Sequence, residues 1–168
     1  MTEVMNGFER VQEIDISACK RIDLTVAGAY RIVGYSWSNK EIFITGSHIY
    51  LDLNYRTIYC NTPNPLIIDG SQITLCNGTI RCNWKFTEQP LEHELAVILC
   101  KRFVTCTIQN VRIFVSFYEW PAVDLWAGVL VSHQKDGDCH GSLLKNVLAL
   151  LWKVDWPHEP YKGVPCLT

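Results

Sequence analysis

The sequence lacks an excess of charge of either sign. Its 15 Lys and Arg residues and 17 Asp and Glu residues give a formal net charge of −2 over 168 residues. Nucleic-acid binding usually depends on a clustered excess of Lys and Arg, and no such cluster is present. The hydrophobic share of 48% is that of an ordinary globular protein, and the length suits one domain. We therefore predict a single folded domain that does not bind nucleic acid.

Long apolar runs are also missing. The longest, such as VLALLW at 147–152, are far shorter than the ~20 residues of a membrane-spanning helix. The first residues, MTEVMNGFERVQEID, carry acids and an arginine where a secretory signal needs an apolar stretch. The sequence thus predicts no membrane insertion, and a location in a reducing intracellular compartment or in a virion.

No Cys-x-x-Cys pair occurs, although the chain has eight cysteines. The spacings Cys76–Cys82 and Cys100–Cys106 do not match a zinc knuckle or ribbon. In a reducing compartment cysteine behaves as a small buried hydrophobe, so we expect free, mostly buried thiols and no cofactor. The alternative is a secreted, disulfide-bonded chain, in which the sequon Asn77-Gly-Thr would be open to glycosylation.

Short strands are predicted along most of the chain. Segments rich in Ile, Val, Thr and Tyr show period-two alternation and are bounded by Gly, Asn, Ser or Pro. QITLC and TIRC are predicted as two strands, and so are VTCTI and VRIFV. One helix is predicted, because Val4, Phe8 and Val11 are spaced for one face; it should end before Ile14.

A repeated unit links these strands. GSHIYLDL at 46–53 is echoed by GSQITLC at 70–76, with an offset of 24 residues. A longer unit of strand, turn, strand, Asn and strand recurs at 65–80, 96–113 and 128–150. It places an asparagine at Asn77, Asn110 and Asn146. Recurrence at this interval, with extra residues confined to loops, is typical of a solenoid.

The repeat predicts how the strands pack. If each unit is one coil, each strand pairs in parallel with the same strand of the next coil, ~4.8 Å away. Alternate side chains then fill a shared interior, and the asparagines stack at one corner in a left-handed backbone conformation. The interior positions predicted in this way are Ile73, Leu75, Ile108 and Leu144.

This rhythm resembles the right-handed parallel β-helix of the pectin-lyase-like superfamily. The resemblance covers about residues 14–150 and implies an all-β, single-stranded β-helix of about five or six coils. It divides the one domain into an N-terminal helical cap (1–13), the coils (14–151) and an irregular C-terminal cap (152–168). A β-sandwich or jelly roll, which would use the same short strands, is the alternative.

The catalytic motifs that this resemblance would imply are missing. Members of the superfamily often cleave polysaccharides in a groove lined with Asp, Arg or His, but no paired-aspartate segment or RIK-like strand occurs here. In HQKDGDCHG at 133–141, Asp136 and Asp138 could act as acid and base beside His140, in a lyase or glycoside hydrolase. With His133 the same residues could ligate a metal. Ordinary turn chemistry explains the passage equally well, so we assign no catalytic residue and predict no metal.

Aromatic residues concentrate in two insertions, 83–95 and 116–127. Both follow the same strand of successive units, so we expect them to stack along one edge. Such residues are enriched in protein interfaces and also stack on sugars, but they could equally cover the side of the fold as a private cluster. The candidate partner-binding residues are Trp84, Phe86, Phe117, Tyr118, Trp120 and Trp126.

Three functions are compatible with these features. The favoured one is a structural or assembly protein, most readily a virus or phage particle component, that acts through protein–protein contacts or self-association. The second is a carbohydrate- or receptor-binding module, and the third is a small polysaccharide-acting enzyme. The missing motifs and the small number of predicted coils favour the first.

Overall fold

The fold consists of β-strands throughout the part of the chain that can be described. The computed structural model describes residues 10–36, 39–62, 64–84, 94–101, 105–117, 125–131 and 143–153. Within these ranges there is no helix, and therefore no helix that is long and apolar enough to cross a membrane. The strands are β1 (Val11–Asp15), β2 (Arg21–Leu24), β3 (Gly28–Val33), β4 (Glu41–Ile44), β5 (Ile49–Asp52), β6 (Thr57–Tyr59), β7 (Leu66–Ile68), β8 (Ile73–Trp84), β9 (Glu94–Cys100), β10 (Cys106–Phe117), β11 (Leu125–Val131) and β12 (Leu143–Lys153).

The strands form two parallel sheets. The first sheet has the order β1-β3-β5-β8-β10-β12, with β6 also paired to β8; the second has the order β2-β4-β7-β9-β11. The chain passes from the first sheet to the second and back, and each pass adds a strand beside the strand from the previous pass. Two parallel neighbouring strands must be joined by a long crossover connection. Here that connection contains the intervening strand of the other sheet.

The 24-residue echo in the sequence corresponds to two neighbouring parallel strands. Ile49 pairs with Ile73 and Leu51 with Leu75, as the echo predicts. The hydroxyl groups of Ser47 and Ser71 are 3.0 Å apart. At Gly70, a Cβ atom would overlap the carbonyl oxygen of Gly46, so the backbone of one pass rests directly on that of the previous pass. The glycines of the echo are therefore required by close backbone approach.

One apolar core lies between the two sheets. It contains Ile73, Leu75 and Ile108, each at most 1% exposed, together with side chains from the second sheet. Leu144, predicted to be equally buried, is 50% exposed. It pairs with Ile108 on one side only, because β12 is the last strand of the first sheet in the described residues. The prediction for Leu144 was therefore wrong.

The predicted N-terminal helix does not extend to residue 11. Val11–Asp15 is a strand paired with β3, from Val11↔Ala29 to Asp15↔Val33. Ladder hydrogen bonds to β3 outweigh the helical spacing, because an isolated short helix is only marginally stable. Val4 and Phe8 lie outside the described residues, as does the predicted C-terminal cap from residue 154 onward; β12 continues to Lys153.

In two places, segments that were predicted as two separate strands form one continuous strand. QITLC and TIRC both belong to β8 apart from Gln72, and VTCTI and VRIFV both belong to β10 apart from residues 104 and 105. Asn77 and Asn110 have φ angles of 56° and 55°, so the backbone bends at each asparagine without leaving the sheet. The short β6, which sequence reasoning missed, pairs with the second half of β8 through Ile58↔Ile80.

The cysteines of the described residues contribute to the core as thiols. None of the six forms a disulfide, and all except Cys19 are buried. Burial raises the pKa of the Cys60 thiol to about 12 and that of Cys76 to about 11, and it raises the pKa of Cys82 as well. These three thiols therefore stay protonated, and poorly nucleophilic, at neutral pH.

We predict that Gly70→Ala destabilises the protein while Gly28→Ala does not. The Gly70 Cβ has no room beside the Gly46 backbone, and we expect a loss of about 1–3 kcal/mol in the free energy of unfolding. At Gly28 the nearest atom to a new Cβ is 3.4 Å away, an ordinary contact. Urea denaturation of both variants measures the difference. Equal unfolding midpoints would contradict the close approach.

We also predict that stability falls as the pH rises above about 9. The folded-state pKa of Cys60 lies above its usual value of 9.0, so the unfolded chain loses this proton first. The stabilisation is therefore complete below pH ~9 and is lost as the pH approaches 12, by up to ~1.4 kcal/mol per pH unit for each thiol. Urea midpoints at pH 8, 9 and 10 give the slope. Cys60→Ala should reduce it; an unchanged slope would show that Cys60 does not contribute.

Candidate interaction surface

One corner of the first sheet is held by a row of side-chain amides, here called the asparagine ladder: Asn77, Asn110 and Asn146. Asn110 Nδ2 donates to Asn77 Oδ1 at 3.2 Å, and Asn146 Nδ2 donates to Asn110 Oδ1 at 3.2 Å. All three residues have φ angles of 53–56°, a left-handed conformation that asparagine tolerates. The predicted stacking of these three residues is confirmed.

The asparagine ladder ends on a carboxylate that sequence reasoning missed. Asp52 Oδ1 accepts hydrogen bonds from Asn77 Nδ2 at 3.2 Å and from the Asn54 backbone N–H at 2.8 Å. An ionised carboxylate only accepts hydrogen bonds, so Asn77 must turn its NH2 group toward Asp52 and its oxygen toward Asn110. Asp52 thereby sets the direction of the whole row.

Asp52 is also paired with an arginine on the outer side of the sheet. Arg31 Nε lies 3.6 Å from Asp52 Oδ2, and Asp52 is only 6% exposed. Nearby, the Cys76 thiol donates to the Tyr50 hydroxyl at 3.1 Å. The Arg31–Asp52 ion pair links β3 to β5, and the Cys76–Tyr50 hydrogen bond links β8 to β5. These polar contacts join three neighbouring strands, which is a structural task.

A second row of polar side chains, here called the corner row, lies at Asn39, Asn61, Asn83 and Ser116. The backbone N–H of Asn61 donates to Asn39 Oδ1 at 2.6 Å, and that of Asn83 donates to Asn61 Oδ1 at 3.2 Å. The Ser116 hydroxyl lies 3.3 Å from Asn83 Oδ1. The first three members are spaced by 22 residues, a signal that sequence reasoning did not use.

The corner row fixes the places at which the two aromatic insertions leave the first sheet. Asn83 and Ser116 directly precede Trp84 and Phe117, which are register partners in β8 and β10. The insertions also rejoin the fold in register, since Glu94 pairs with Leu125 at the start of β9 and β11. Residues 85–93 and 118–124 therefore connect the same two positions in adjacent layers of the fold.

The structure brings together the strand ends that carry two of the predicted partner-binding residues, Trp84 and Phe117, which are register partners. Trp84, Phe117 and Trp126 lie in β8, β10 and β11. Phe86, Tyr118 and Trp120 lie outside the described residues. The assignment of these aromatics to a binding surface remains a prediction.

The catalytic and metal-binding candidates cannot be placed. Asp136, Asp138, His140 and His133 all belong to 132–142, outside the described residues. Among the residues that are described, no group of three or more His, Cys, Asp or Glu is arranged to hold a metal.

The side-chain amide of the sequon asparagine, Asn77, already forms hydrogen bonds within the fold. Asn77 Nδ2, the atom to which a glycan would be attached, donates to Asp52 Oδ1 at 3.2 Å and lies 3.3 Å from Cys76 Sγ. Asn77 also lies within β8 rather than in a surface loop. Glycosylation there would break the asparagine ladder.

Comparison with protein-family models, curated proteins and solved structures finds no match for this chain.

We predict that Asn110→Gly and Asn110→Ala separate the two contributions of the asparagine ladder. Both variants remove hydrogen bonds to Asn77 and Asn146, and we expect a loss of about 1–2 kcal/mol in the free energy of unfolding. Alanine should cost about 1 kcal/mol more than glycine, because only glycine adopts φ near 55° without strain. Urea denaturation measures both. A glycine variant as stable as the natural chain would show that the amide row contributes no net stability.

Proposed function

We propose that the fold is a right-handed parallel β-helix. Three observations support this: strands that alternate between two sheets, in-register parallel pairing along both sheets, and rows of like side chains at the corners. The hand follows from the general rule that crossovers between parallel strands are right-handed in about 98% of cases.

We further propose that the protein is a structural or assembly component that binds other proteins through the corner from which its two aromatic insertions emerge. The register pairing of Trp84 with Phe117 carries this proposal, because it places the starts of both insertions side by side on adjacent strands. Aromatic residues anchored on a rigid support are typical of interface hot spots. A virus or phage particle is the setting we propose, since such a stack provides rigidity without a ligand.

The composition of the insertions indicates the chemistry of the partner. Residues 85–93 and 118–124 contain Lys85 but four acidic residues: Glu88, Glu92, Glu119 and Asp124. Insertions that combine aromatic and acidic residues favour a partner surface that offers apolar and basic groups. Salt should therefore slow association more than it speeds dissociation.

The test removes two aromatic anchors and follows assembly and stability separately. We expect Trp120→Ala with Trp126→Ala to weaken self-association or particle incorporation at least tenfold, while the thermal midpoint changes by less than about 3 °C. Analytical ultracentrifugation measures self-association. Particle incorporation is measured as the amount of the protein that copurifies with its partners when it is expressed at its native level. The matched control is Tyr35→Ala with Tyr55→Ala, which removes two rings that are 65% and 82% exposed elsewhere on the surface.

Two outcomes would contradict the proposal. A sharply lowered midpoint with intact assembly would show that these tryptophans pack internally. Loss of glycan binding with unchanged protein association would favour the carbohydrate-binding alternative, since aromatic side chains also stack on sugars.

A further inference from the structure

Two core cysteines from different sheets are in contact at one crossover. The Sγ atoms of Cys100 and Cys106 are 3.5 Å apart, and the two residues are 0% and 1% exposed. Cys100 is the last residue of β9 in the second sheet, and Cys106 is the first residue of β10 in the first sheet. Neither forms a disulfide in the structure. The two sulfur atoms therefore meet where the chain passes from one sheet to the other.

The same two positions hold isoleucine in the two preceding layers of the fold. The equivalent residues, identified by register pairing, are Ile44 and Ile68 below Cys100, and Ile49 and Ile73 below Cys106. Both positions change to cysteine together in the layer of β9 and β10. Cysteine can serve as a small buried hydrophobe, which would account for either change alone. The joint change, with the two sulfur atoms in contact, favours a role for the sulfur chemistry.

Cys60 and Cys82 provide an internal comparison. Both are buried in the same core, and the Cys60 backbone N–H donates to the carbonyl oxygen of Arg81, which places the two cysteines on adjacent strands. In the described part of the chain, no sulfur–sulfur hydrogen bond joins Cys60 to Cys82. Burial of a thiol and contact between two thiols are therefore separate features of this core.

We propose that Cys100 and Cys106 form a dithiol site that a low-molecular-weight disulfide, such as glutathione disulfide, converts into an intramolecular disulfide. The bond would tie the end of β9 to the start of β10 and thereby join the two sheets covalently. A disulfide has an S–S distance of about 2.05 Å, so the two sulfur atoms must approach each other by about 1.5 Å. This inference is independent of the proposed function.

The reaction is thiol–disulfide exchange in two steps. The thiolate of one cysteine attacks a sulfur of glutathione disulfide, which forms a mixed disulfide and releases one glutathione. The thiolate of the other cysteine attacks the protein sulfur of the mixed disulfide and releases the second glutathione. Two electrons pass from the protein thiols to glutathione disulfide, and the two protons end on the two glutathione thiols. Because both cysteines are buried, the exchange requires local opening of the core and should be slow.

The test measures how strongly folding favours the bond. The natural chain is equilibrated with mixtures of reduced and oxidised glutathione, with and without concentrated urea, and the remaining thiols are then alkylated. Trypsin cleaves after Lys101 and Arg102, so the disulfide is detected as peptide 86–101 linked to peptide 103–112. We expect the effective concentration of the two thiols to be at least about tenfold higher in the folded protein than in urea, because the fold holds the sulfur atoms in contact. By linkage, the disulfide should favour folding by the same factor.

The stability of the oxidised protein provides a second measurement. We expect the disulfide to raise the urea midpoint of the natural chain and of Cys82→Ala, the matched control, which removes another buried sulfur of the same core. Oxidation of Cys106→Ala should produce no such rise. If Cys106→Ala does not fold, the glutathione equilibrium of the natural chain decides the question alone.

Two results would overturn the inference. The first is an effective concentration in the folded protein that is no higher than in urea, which would show that the fold does not favour the bond. The second is a link between peptides 57–81 and 82–85, which carry Cys60 and Cys82, that is as abundant as the link between Cys100 and Cys106. That result would show that oxidation does not select the pair in contact.

Discussion

Parallel, in-register pairing of each strand with its counterpart from the previous pass is the constraint on which the described fold depends. It places equivalent positions of successive repeats one strand spacing apart. The size and polarity of each side chain must therefore suit the equivalent residue of the neighbouring strand. Gly70 must be small because the Gly46 backbone lies directly below, and Leu75 is apolar because Leu51 and Ile108 lie on either side. One pairing rule thus explains the core, the glycines and the polar rows together.

The polar rows solve the problem that the corners create. Where a strand bends, backbone and side-chain polar groups leave the regular ladder and need other partners. The asparagine ladder and the corner row supply them from the equivalent residue of the next strand. Asp52 orients the asparagine ladder, because a carboxylate can only accept. The strands that flank the two insertions keep the same register, although the insertions differ in length and composition.

Among the described residues, the two outermost strands of the first sheet, β1 and β12, each pair with a neighbour on one side only. The first strand, β1, presents Gln12, Glu13 and Asp15, and charged side chains on an edge discourage pairing with other chains. The last described strand of the same sheet, β12, presents leucines. The two outermost described strands therefore differ in chemistry: β1 exposes polar and charged side chains, whereas β12 exposes leucines.

The sequence by itself determined the all-β class, the parallel pairing of the GSHIYLDL and GSQITLC segments, and the stacking of Asn77, Asn110 and Asn146. These features depend on local alternation and on the spacing of repeats, which are visible along the chain. Only the tertiary structure decided that Asn77 bends a continuous strand, that Asp52 ends the asparagine ladder, that Val11 joins a strand and that Leu144 is half exposed. Each of these depends on which strand lies alongside, or on whether any strand does, and a single chain read in order does not contain that information.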